Sequence, residues 1–263
     1  GGHRCGGPAD RGVRGTLDAG HVVSALSGSA LLLLLFDIDG TLVAGATEAH
    51  RDALHAALLS VHGIDAQAAR TPISPAGRTD GEIARVLLLD AGVPAERIDD
   101  READVRAECC RIYARLATED LAHTVLPGIR ETLDWLSGRD DVLLGLLTGN
   151  YEPVARLKLA RAGIGQHFRG GPGAFGSDSE DRAALPAIAR RRAGTPARPH
   201  PREDTIVIGD TPRDIACARA DSVRCIAVAT GPYPVEELTD ADAVLTGAQE
   251  LREILHRLLS ARE

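Results

Sequence analysis

The most constraining feature of the sequence is an unbroken apolar run, Leu31–Phe36, that ends directly in an acidic turn. A continuous run of this kind is typical of a central parallel strand that is covered on both faces. Four more strand candidates follow, with helical patterns between them, so the sequence predicts a doubly wound parallel α/β sheet of the Rossmann-like class. These strands are Val142–Leu147, Thr205–Gly209, Arg224–Ala229 and Ala243–Leu245, and the helices are Gly128–Leu136, Pro153–Ala162, Asp181–Arg192, Pro212–Ala220 and Ala248–Leu259.

One long stretch, from about Thr47 to Thr124, interrupts this alternation because its apolar spacing is helical throughout. We therefore expect a helical domain inserted between the first strand and the rest of the sheet. The segment before the first strand is rich in Gly, Arg and Ala and has no sustained period, which is typical of disorder. The expected division is a core domain of residues 30–43 and 126–263, an inserted helical domain of residues 44–125, and a disordered N-terminal extension of residues 1–29.

Composition narrows the function classes. The chain of 263 residues has 38 acidic and 30 basic residues and a formal net charge of −8, which argues against a nucleic-acid partner held by a general basic field. No apolar run reaches the roughly 20 residues of a membrane helix, so no membrane partner is expected. Five cysteines without a C-x-x-C pair indicate reduced thiols, and the expected location is the cytoplasm. The oligomeric state stays open between monomer and homodimer.

Polar residues follow three of the predicted strands at the point where each strand ends. Ligands of an open α/β sheet bind outside the carboxyl ends of the strands, so these residues are expected to meet at one site. Several carboxylates at one edge repel each other unless a cation lies among them, and an oxygen-only ligand set favours Mg²⁺. Taken singly, the same residues are also typical of turns, loops and helix N-caps. They are Asp37 and Asp39, then Thr148, Gly149 and Asn150, then Asp210 and Asp214.

Together these residues resemble the ordered motifs of the haloacid dehalogenase-like superfamily of phosphotransferases. The matching segments are Asp37–Leu42, Leu146–Asn150 and Gly209–Asp214. The inserted helical domain is similar to the cap of the phosphoglycolate phosphatase and β-phosphoglucomutase branch. The resemblance implies a Mg²⁺-dependent phosphatase that hydrolyses a small phosphomonoester, phosphoglycolate-like or a sugar phosphate, through an aspartyl-phosphate. A phosphomutase of the same fold and a non-catalytic binding protein are the alternatives.

The resemblance also implies a role for each residue. Asp37 is the expected nucleophile, and Asp39 is the expected general acid and later general base. An acid at position 39 argues against dehalogenation, since displacing a halide needs no proton donor. The remaining expected roles are metal ligation by Asp37, Asp39 (through its backbone carbonyl), Asp210 and Asp214, and phosphate binding by Thr148, Gly149 and Asn150.

The third motif of the superfamily, a basic residue before the fourth motif, has two candidates. Arg182 has the expected position and would bind the phosphoryl group as a planar fork. Its rival is Lys158, the only lysine of the chain, which we interpret instead as a surface lysine on a helix flank.

Within the inserted domain, Arg78 is the candidate substrate-binding residue because it lies in a polar loop, Ala76–Asp80, where it could meet a second anionic group. The alternative is that this loop only caps the following helix. His50 is interpreted as a surface histidine on an amphipathic helix. Ser222 stands where the superfamily usually has glycine, and it costs on the order of 1 kcal/mol if that turn needs a positive φ.

Overall fold

Six parallel strands form one sheet in residues 31–66 and 73–262, the parts of the chain that the structure, a computed structural model, describes. The strand order is β3-β2-β1-β4-β5-β6, which confirms the predicted doubly wound α/β class. The expectation for residues 1–29 lies outside the described residues. The strands are β1 (Leu32–Phe36), β2 (Val142–Thr148), β3 (Gly173–Phe175), β4 (Thr205–Gly209), β5 (Arg224–Val228) and β6 (Ala243–Leu245).

The apolar run of β1 supplies two hydrophobic cores at once, because successive side chains of a strand point to opposite faces. Leu32, Leu34 and Phe36 belong to one buried cluster, and Leu33 and Leu35 belong to another. All five residues are fully buried. This explains why the run is continuous rather than alternating.

Helices cover both faces of the sheet. The first face packs against α4 (Ile129–Ser137), α5 (Glu152–Arg161) and α8 (Leu251–Ser260), and the second packs against α6 (Leu185–Ala193) and α7 (Pro212–Ala220). A short 3-10 turn, Arg182–Ala184, precedes α6, so the helix predicted from Asp181 begins later than expected. Strand β3 was not predicted from the sequence because it has only three residues and follows a glycine-rich loop.

The inserted segment is helical, with α1 (Glu48–His62), α2 (Asp80–Asp90) and α3 (Ala95–Leu116) around a third hydrophobic cluster. The chain enters and leaves this segment side by side. The N–H of Ala44 donates to the carbonyl of Thr124 at 2.8 Å, and the N–H of Leu126 donates to Leu42 at 3.0 Å. The two chain segments that connect the sheet to the inserted segment are therefore hydrogen-bonded to each other.

Within the described residues, every helix is too short or too polar to span a bilayer. The four described cysteines are free thiols, and Cys109, Cys217 and Cys225 are buried.

Ser222 follows α7 with a φ of 54°, in the left-handed region that favours glycine. The turn is fixed on both sides, since the N–H of Ser222 donates to Arg219 and the N–H of Val223 donates to Ala218, each at 3.0 Å. The turn therefore has the positive φ at Ser222 on which the expected strain depends.

We predict that Ser222→Gly stabilises the protein by about 1 kcal/mol, because glycine adopts this φ without a steric cost. For a chain of this size the midpoint of thermal unfolding should rise by about 2–4 °C. Ser60→Gly, the same change at an exposed position inside α1, is the control and should lower the midpoint, since glycine disfavours helices. A fall in the midpoint of Ser222→Gly would contradict the argument.

Candidate active site

Three buried carboxylates meet at the carboxyl edge of the sheet. Asp37 follows β1, Asp210 follows β4, and Asp214 lies in the first turn of α7. Each offers an oxygen within 4.8 Å of the other two. This convergence was expected from the polar residues at the strand ends.

Glycines allow the carboxylates to come this close. Gly40 has a φ of 88°, and a Cβ there would lie 2.2 Å from Oδ2 of Asp210. A Cβ on Gly209 would lie 2.2 Å from Cγ of Asp214. The hydroxyl of Thr41 donates to Oδ1 of Asp210 at 3.0 Å and orients that carboxylate.

The electrostatics of the cluster call for a cation. Burial raises the pKa of Asp37, and the neighbouring carboxylates of Asp214 and Asp39 raise it further, while Arg182 opposes the shift. Burial also raises the pKa of Asp210, with further contributions from Asp37 and Asp214. A hard divalent cation among these oxygens would relieve that repulsion, so the residues fit Mg²⁺.

Asp214 also helps to cap a helix, which is the alternative role expected for it from the sequence. Its Oδ2 accepts the backbone N–H and the hydroxyl of Thr211, at 3.0 and 2.6 Å, in a capping box that begins α7. Its Oδ1 accepts a bond from Arg182. Asp214 therefore holds the start of α7 and the guanidinium in place, whether or not it also contacts a metal.

Arg182 lies on the Asp37 side of the site. Its Nη2 is 3.3 Å from Oδ1 of Asp37 and also bonds to Asp214, and the side chain is buried. Its Nε is buried without a hydrogen-bond partner among the described residues. The structure thus places Arg182, one of the two candidates for the third motif, within reach of Asp37.

Lys158 lies on the Asp39 side, and its interpretation as a surface lysine is wrong. It is fully buried, and its Nζ lies 2.7 Å from both carboxylate oxygens of Asp39 and 2.9 Å from Oδ1 of Asn150. The amide of Asn150 also donates to Oδ2 of Asp39 at 3.0 Å. Lys158, Asn150 and Asp39 thus form a closed polar triangle.

The triangle sets the charge of Asp39. Burial raises the pKa of Asp39, but the Lys158 ammonium, His50 and the bond from Asn150 together hold it below its usual value. The helical spacing contained a signal for this position, because Lys158 lies four residues after Val154 and three after Ala155, on the buried side of α5.

The predicted phosphate-binding loop lies between the sheet and the inserted segment. Thr148 is buried, and its hydroxyl accepts the N–H of Asn150 at 3.3 Å. A Cβ on Gly149 would lie 2.0 Å from the carbonyl oxygen of Arg78, so glycine is required for the contact. The carbonyl of Gly149 accepts the N–H of Asp80 at 2.8 Å. Backbone from the inserted segment therefore closes over this loop.

His50 is also buried rather than on the surface, which corrects its interpretation. Its Nε2 lies 3.0 Å from Oδ2 of Asp80, and the same oxygen accepts the N–H of Tyr151 at 2.7 Å. Asp80 thereby joins α1, α2 and the loop after β2. From the sequence, Asp80 was expected in the candidate substrate loop or as a cap of α2, and its contacts with His50 and Tyr151 were not predicted.

Arg78 lies at the site, but its charge is already paired. Its guanidinium bonds to Glu82, and its Nε donates to the carbonyl of Ser74 at 3.1 Å. The hydroxyl of Thr79 caps α2 by accepting the N–H of Glu82 at 3.1 Å. The capping alternative for this loop is therefore present in the structure.

A cavity of about 710 Å³ connects these groups. Its inner end contains the carboxylates and the loop after β2, and its outer walls come from α1, α2 and the loop before α2. The described residues at the inner end include Asp37, Asp39, Asn150, Arg182 and Asp210. All the predicted site residues other than Asp214 line this one cavity, and Asp214 has an oxygen within 4.8 Å of those of Asp37 and Asp210.

Comparisons with known proteins agree with this geometry. The sequence model of the haloacid dehalogenase-like hydrolases matches residues 34–219. A phosphoglycolate phosphatase from Pseudomonas fluorescens strain Pf0-1 is 28% identical over 206 residues, covering 76% of this chain and 70% of the relative. Another, from Pseudomonas fluorescens strain Pf-5, is 30% identical over 211 residues with the same coverage.

Solved structures show the same fold at low sequence identity. A hydrolase from Pseudomonas syringae has a TM-score of 0.59 at 21% identity, covering 86% of this chain and 98% of that one. A β-phosphoglucomutase from Clostridium difficile has a TM-score of 0.63 at 15% identity, covering 88% and 97%.

We predict that Lys158→Met destabilises the protein by about 3 kcal/mol, because it leaves the Asp39 carboxylate without its buried partner. In an Asp39→Asn background the same change should cost much less, since no charge is left unpaired. Urea unfolding of the two single variants and the double variant measures the difference. Arg257→Met, which breaks an exposed i,i+4 pair with Glu253, is the control and should cost at most about 0.5 kcal/mol. Equal costs of Lys158→Met in both backgrounds would refute the pairing.

Proposed function

This chain belongs to the haloacid dehalogenase-like hydrolases, and we propose that it is a Mg²⁺-dependent phosphatase that hydrolyses a small phosphomonoester through an aspartyl-phosphate. The observation that carries the proposal is the pairing of two carboxylates, two residues apart, with different cations. Asp37 contacts Arg182 and the acidic cluster, whereas Asp39 contacts Lys158 and Asn150. One carboxylate is thus equipped to attack and the other to transfer protons.

In the first step, an Asp37 oxygen attacks phosphorus while the bond from phosphorus to the leaving oxygen breaks. Asp39 gives its proton to that oxygen, so the alcohol leaves neutral. In the second step Asp39 accepts a proton from water, whose oxygen attacks phosphorus and releases Asp37 and phosphate. Arg182 neutralises the phosphoryl oxygens beside Asp37 throughout.

Asp39 must be protonated to act as an acid, although Lys158 favours its ionised form. Anionic phosphoryl oxygens that enter beside Asn150 compete with Asp39 for the amide donor of Asn150, which lines the cavity, whereas Lys158 is buried behind it. Substrate binding therefore weakens the hold on Asp39 and favours its protonated form. Because of this competition, Asp39 would be protonated mainly when a substrate occupies the site.

The acidic cluster supports the metal dependence. Asp37, Asp210 and the backbone carbonyl of Asp39 would hold Mg²⁺, with Asp214 as ligand or support. When bound, Mg²⁺ supplies positive charge to the phosphoryl oxygens and offsets repulsion between the substrate and the carboxylates. The oxygen-only donor set fits this ion.

The inserted segment would act as a cap that excludes water from the site. Its contacts with the loop after β2 and the direct pairing of its two chain crossings support this role. The division into residues 30–43 with 126–263 and residues 44–125 remains part of the proposal. Phosphoglycolate, for which the relatives are named, is the first substrate to test, and a sugar phosphate is the alternative. We expect a phosphorylated small molecule as the only partner, in the cytoplasm, with the chain as monomer or homodimer.

A phosphomutase is the second candidate, and the buried pair of His50 and Asp80 favours it. The resemblance to the mutase branch implies an assisting histidine in the first cap helix; the spacing of His50 from Asp39 is one residue off that pattern, but His50 contributes to lowering the pKa of Asp39. A mutase would need a bisphosphate primer and would release little phosphate from a monoester. Transfer of labelled phosphate between positions of a sugar monophosphate, dependent on added bisphosphate, would favour this candidate.

We predict that the protein releases phosphate from small phosphomonoesters only with Mg²⁺ and that Asp37→Asn abolishes turnover, because the amide cannot attack phosphorus. Asp39→Asn should lower kcat by about 10²–10⁴-fold, since the leaving oxygen loses its proton donor. Phosphate release from a panel of esters measures both effects. Asp52→Asn, on the exposed face of α1, is the control and should keep its activity. Full activity of Asp37→Asn would rule out the aspartyl-phosphate.

We also predict that Mg²⁺ raises the thermal stability of the protein, because a ligand that binds only the folded state stabilises it. At a concentration about 100 times its Kd, the gain is about 2.7 kcal/mol. Asp210→Asn should abolish the Mg²⁺-dependent rise in unfolding temperature. Na⁺ at matched ionic strength controls for screening and should produce no comparable rise. An equal response to both salts would argue against a metal site.

A further inference from the structure

The end of the cavity away from the carboxylates is apolar. Leu54 of α1 lines it together with Ile83 and Leu87, which share one face of α2, and Ala66 and Ile73 complete the described apolar wall. Leu54 and Leu87 belong to the hydrophobic cluster of the inserted segment, against which Ile73 and Ile83 pack. The cavity thus runs from the acidic cluster to the hydrophobic interior of the inserted segment.

Two of these side chains are only half-buried. Ile73 and Ile83 keep part of their surface exposed to the cavity although they pack against the hydrophobic cluster. Covering apolar surface stabilises a complex by roughly 25 cal/mol per Å² removed from water. An apolar group that occupied this end of the cavity would gain that stabilisation, and a charged group would lose its hydration there.

The charged groups around this end are already compensated in the described residues. Arg78 is paired with Glu82, and Arg51 is paired with Asp52. His50 is paired with Asp80. Burial, with a contribution from Arg51, lowers the pKa of His55 and favours its neutral form. A second anionic group on the substrate, such as a carboxylate, would therefore have to displace an existing ion pair.

The cavity is also large for a two-carbon acid. Its volume of about 710 Å³ lies within the range of roughly 300–1,000 Å³ that is typical of pockets for ligands of drug size. A phosphoryl group beside Asp37 would fill only the inner end. The outer end would remain filled with water against apolar side chains unless the leaving group reached it.

We propose that the preferred substrate is a phosphomonoester of an uncharged apolar alcohol, aliphatic or aromatic, whose hydrocarbon part packs against Leu54, Ile73, Ile83 and Leu87. This inference rests on the proposed phosphatase function and assigns it a substrate class. It differs from the class suggested by the names of the relatives, whose substrate carries a carboxylate. The apolar wall selects the leaving group, and the charged residues at the inner end act on the phosphoryl group.

The test compares phosphoglycolate with ethyl, butyl and hexyl phosphate as substrates of the full chain with Mg²⁺. Each methylene that is buried should raise kcat/KM by about threefold to fourfold, so hexyl phosphate, with four more methylenes, should exceed ethyl phosphate by about 80- to 250-fold if all four are buried. Phosphoglycolate should be no better than ethyl phosphate. Equal values along the series, or a clear preference for phosphoglycolate, would overturn the inference and leave the phosphatase function intact.

Two variants on α2, Ile83→Ala and Leu89→Ala, test where the hydrocarbon chain of the substrate binds. Ile83→Ala should lower kcat/KM for hexyl phosphate by about tenfold more than that for ethyl phosphate, because only the longer chain reaches this side chain. Leu89→Ala removes an exposed apolar side chain from the same helix and should change neither value. Loss of the same factor for both esters in Ile83→Ala would count against the proposed contact.

Binding separates this inference from the proposed function. In the Asp37→Asn variant with Mg²⁺, calorimetry should show tighter binding and a more negative heat-capacity change for hexyl phosphate than for ethyl phosphate. If the natural chain hydrolyses none of the esters, the phosphatase proposal fails, and this measurement still decides the present one. Tighter binding of hexyl phosphate would support the apolar site, and equal binding would overturn it.

Discussion

Repulsion among buried carboxylates is the constraint on which the rest of the site depends. Asp37, Asp210 and Asp214 hold oxygens within 4.8 Å of one another in surroundings that raise the pKa of Asp37 and Asp210. Such an arrangement persists only where the fold over-determines it. The glycines at the strand ends admit the carboxylates, and the capping box of α7 fixes one of them. A divalent cation then completes the charge balance.

Two basic side chains pair with different carboxylates of the site. Arg182 reaches Asp37 and Asp214 from the turn before α6, while Lys158 reaches Asp39 from α5. The planar guanidinium can contact two carboxylates at once, whereas the ammonium is a compact charge that fits three acceptors. Burial and acidic neighbours raise the pKa of Asp37 against the effect of Arg182, whereas Lys158 and Asn150 hold the pKa of Asp39 low, so the two carboxylates can carry different protonation states only two residues apart.

The fold and the strand-end residues could be predicted because they follow from local pattern. A continuous apolar run predicts a buried parallel strand, and polar residues at the ends of such strands predict one common site. The burial of Lys158 and His50 was predicted wrongly because their partners are distant in sequence. Lys158 pairs with Asp39, 119 residues away, and His50 pairs with Asp80 across two helices of the inserted segment. Charged side chains usually lie on the protein surface, so both residues were expected to be exposed, and only tertiary contacts bury them. The strand β3 escaped detection because three residues carry no measurable period.

Asp80 connects the inserted segment to the chemistry of the core. Its backbone N–H bonds to Gly149, and its Oδ2 accepts both His50 and the N–H of Tyr151. Asn150, between those two core residues, completes the triangle with Lys158 and Asp39. A displacement of α2 must therefore break bonds to both neighbours of Asn150. The position of the inserted segment and the hydrogen bonds of Asp39 are thus coupled through one short loop. The helix that carries Asp80 also carries Ile83 and Leu87, so the same closed arrangement that fixes Asn150 places the apolar wall over the cavity.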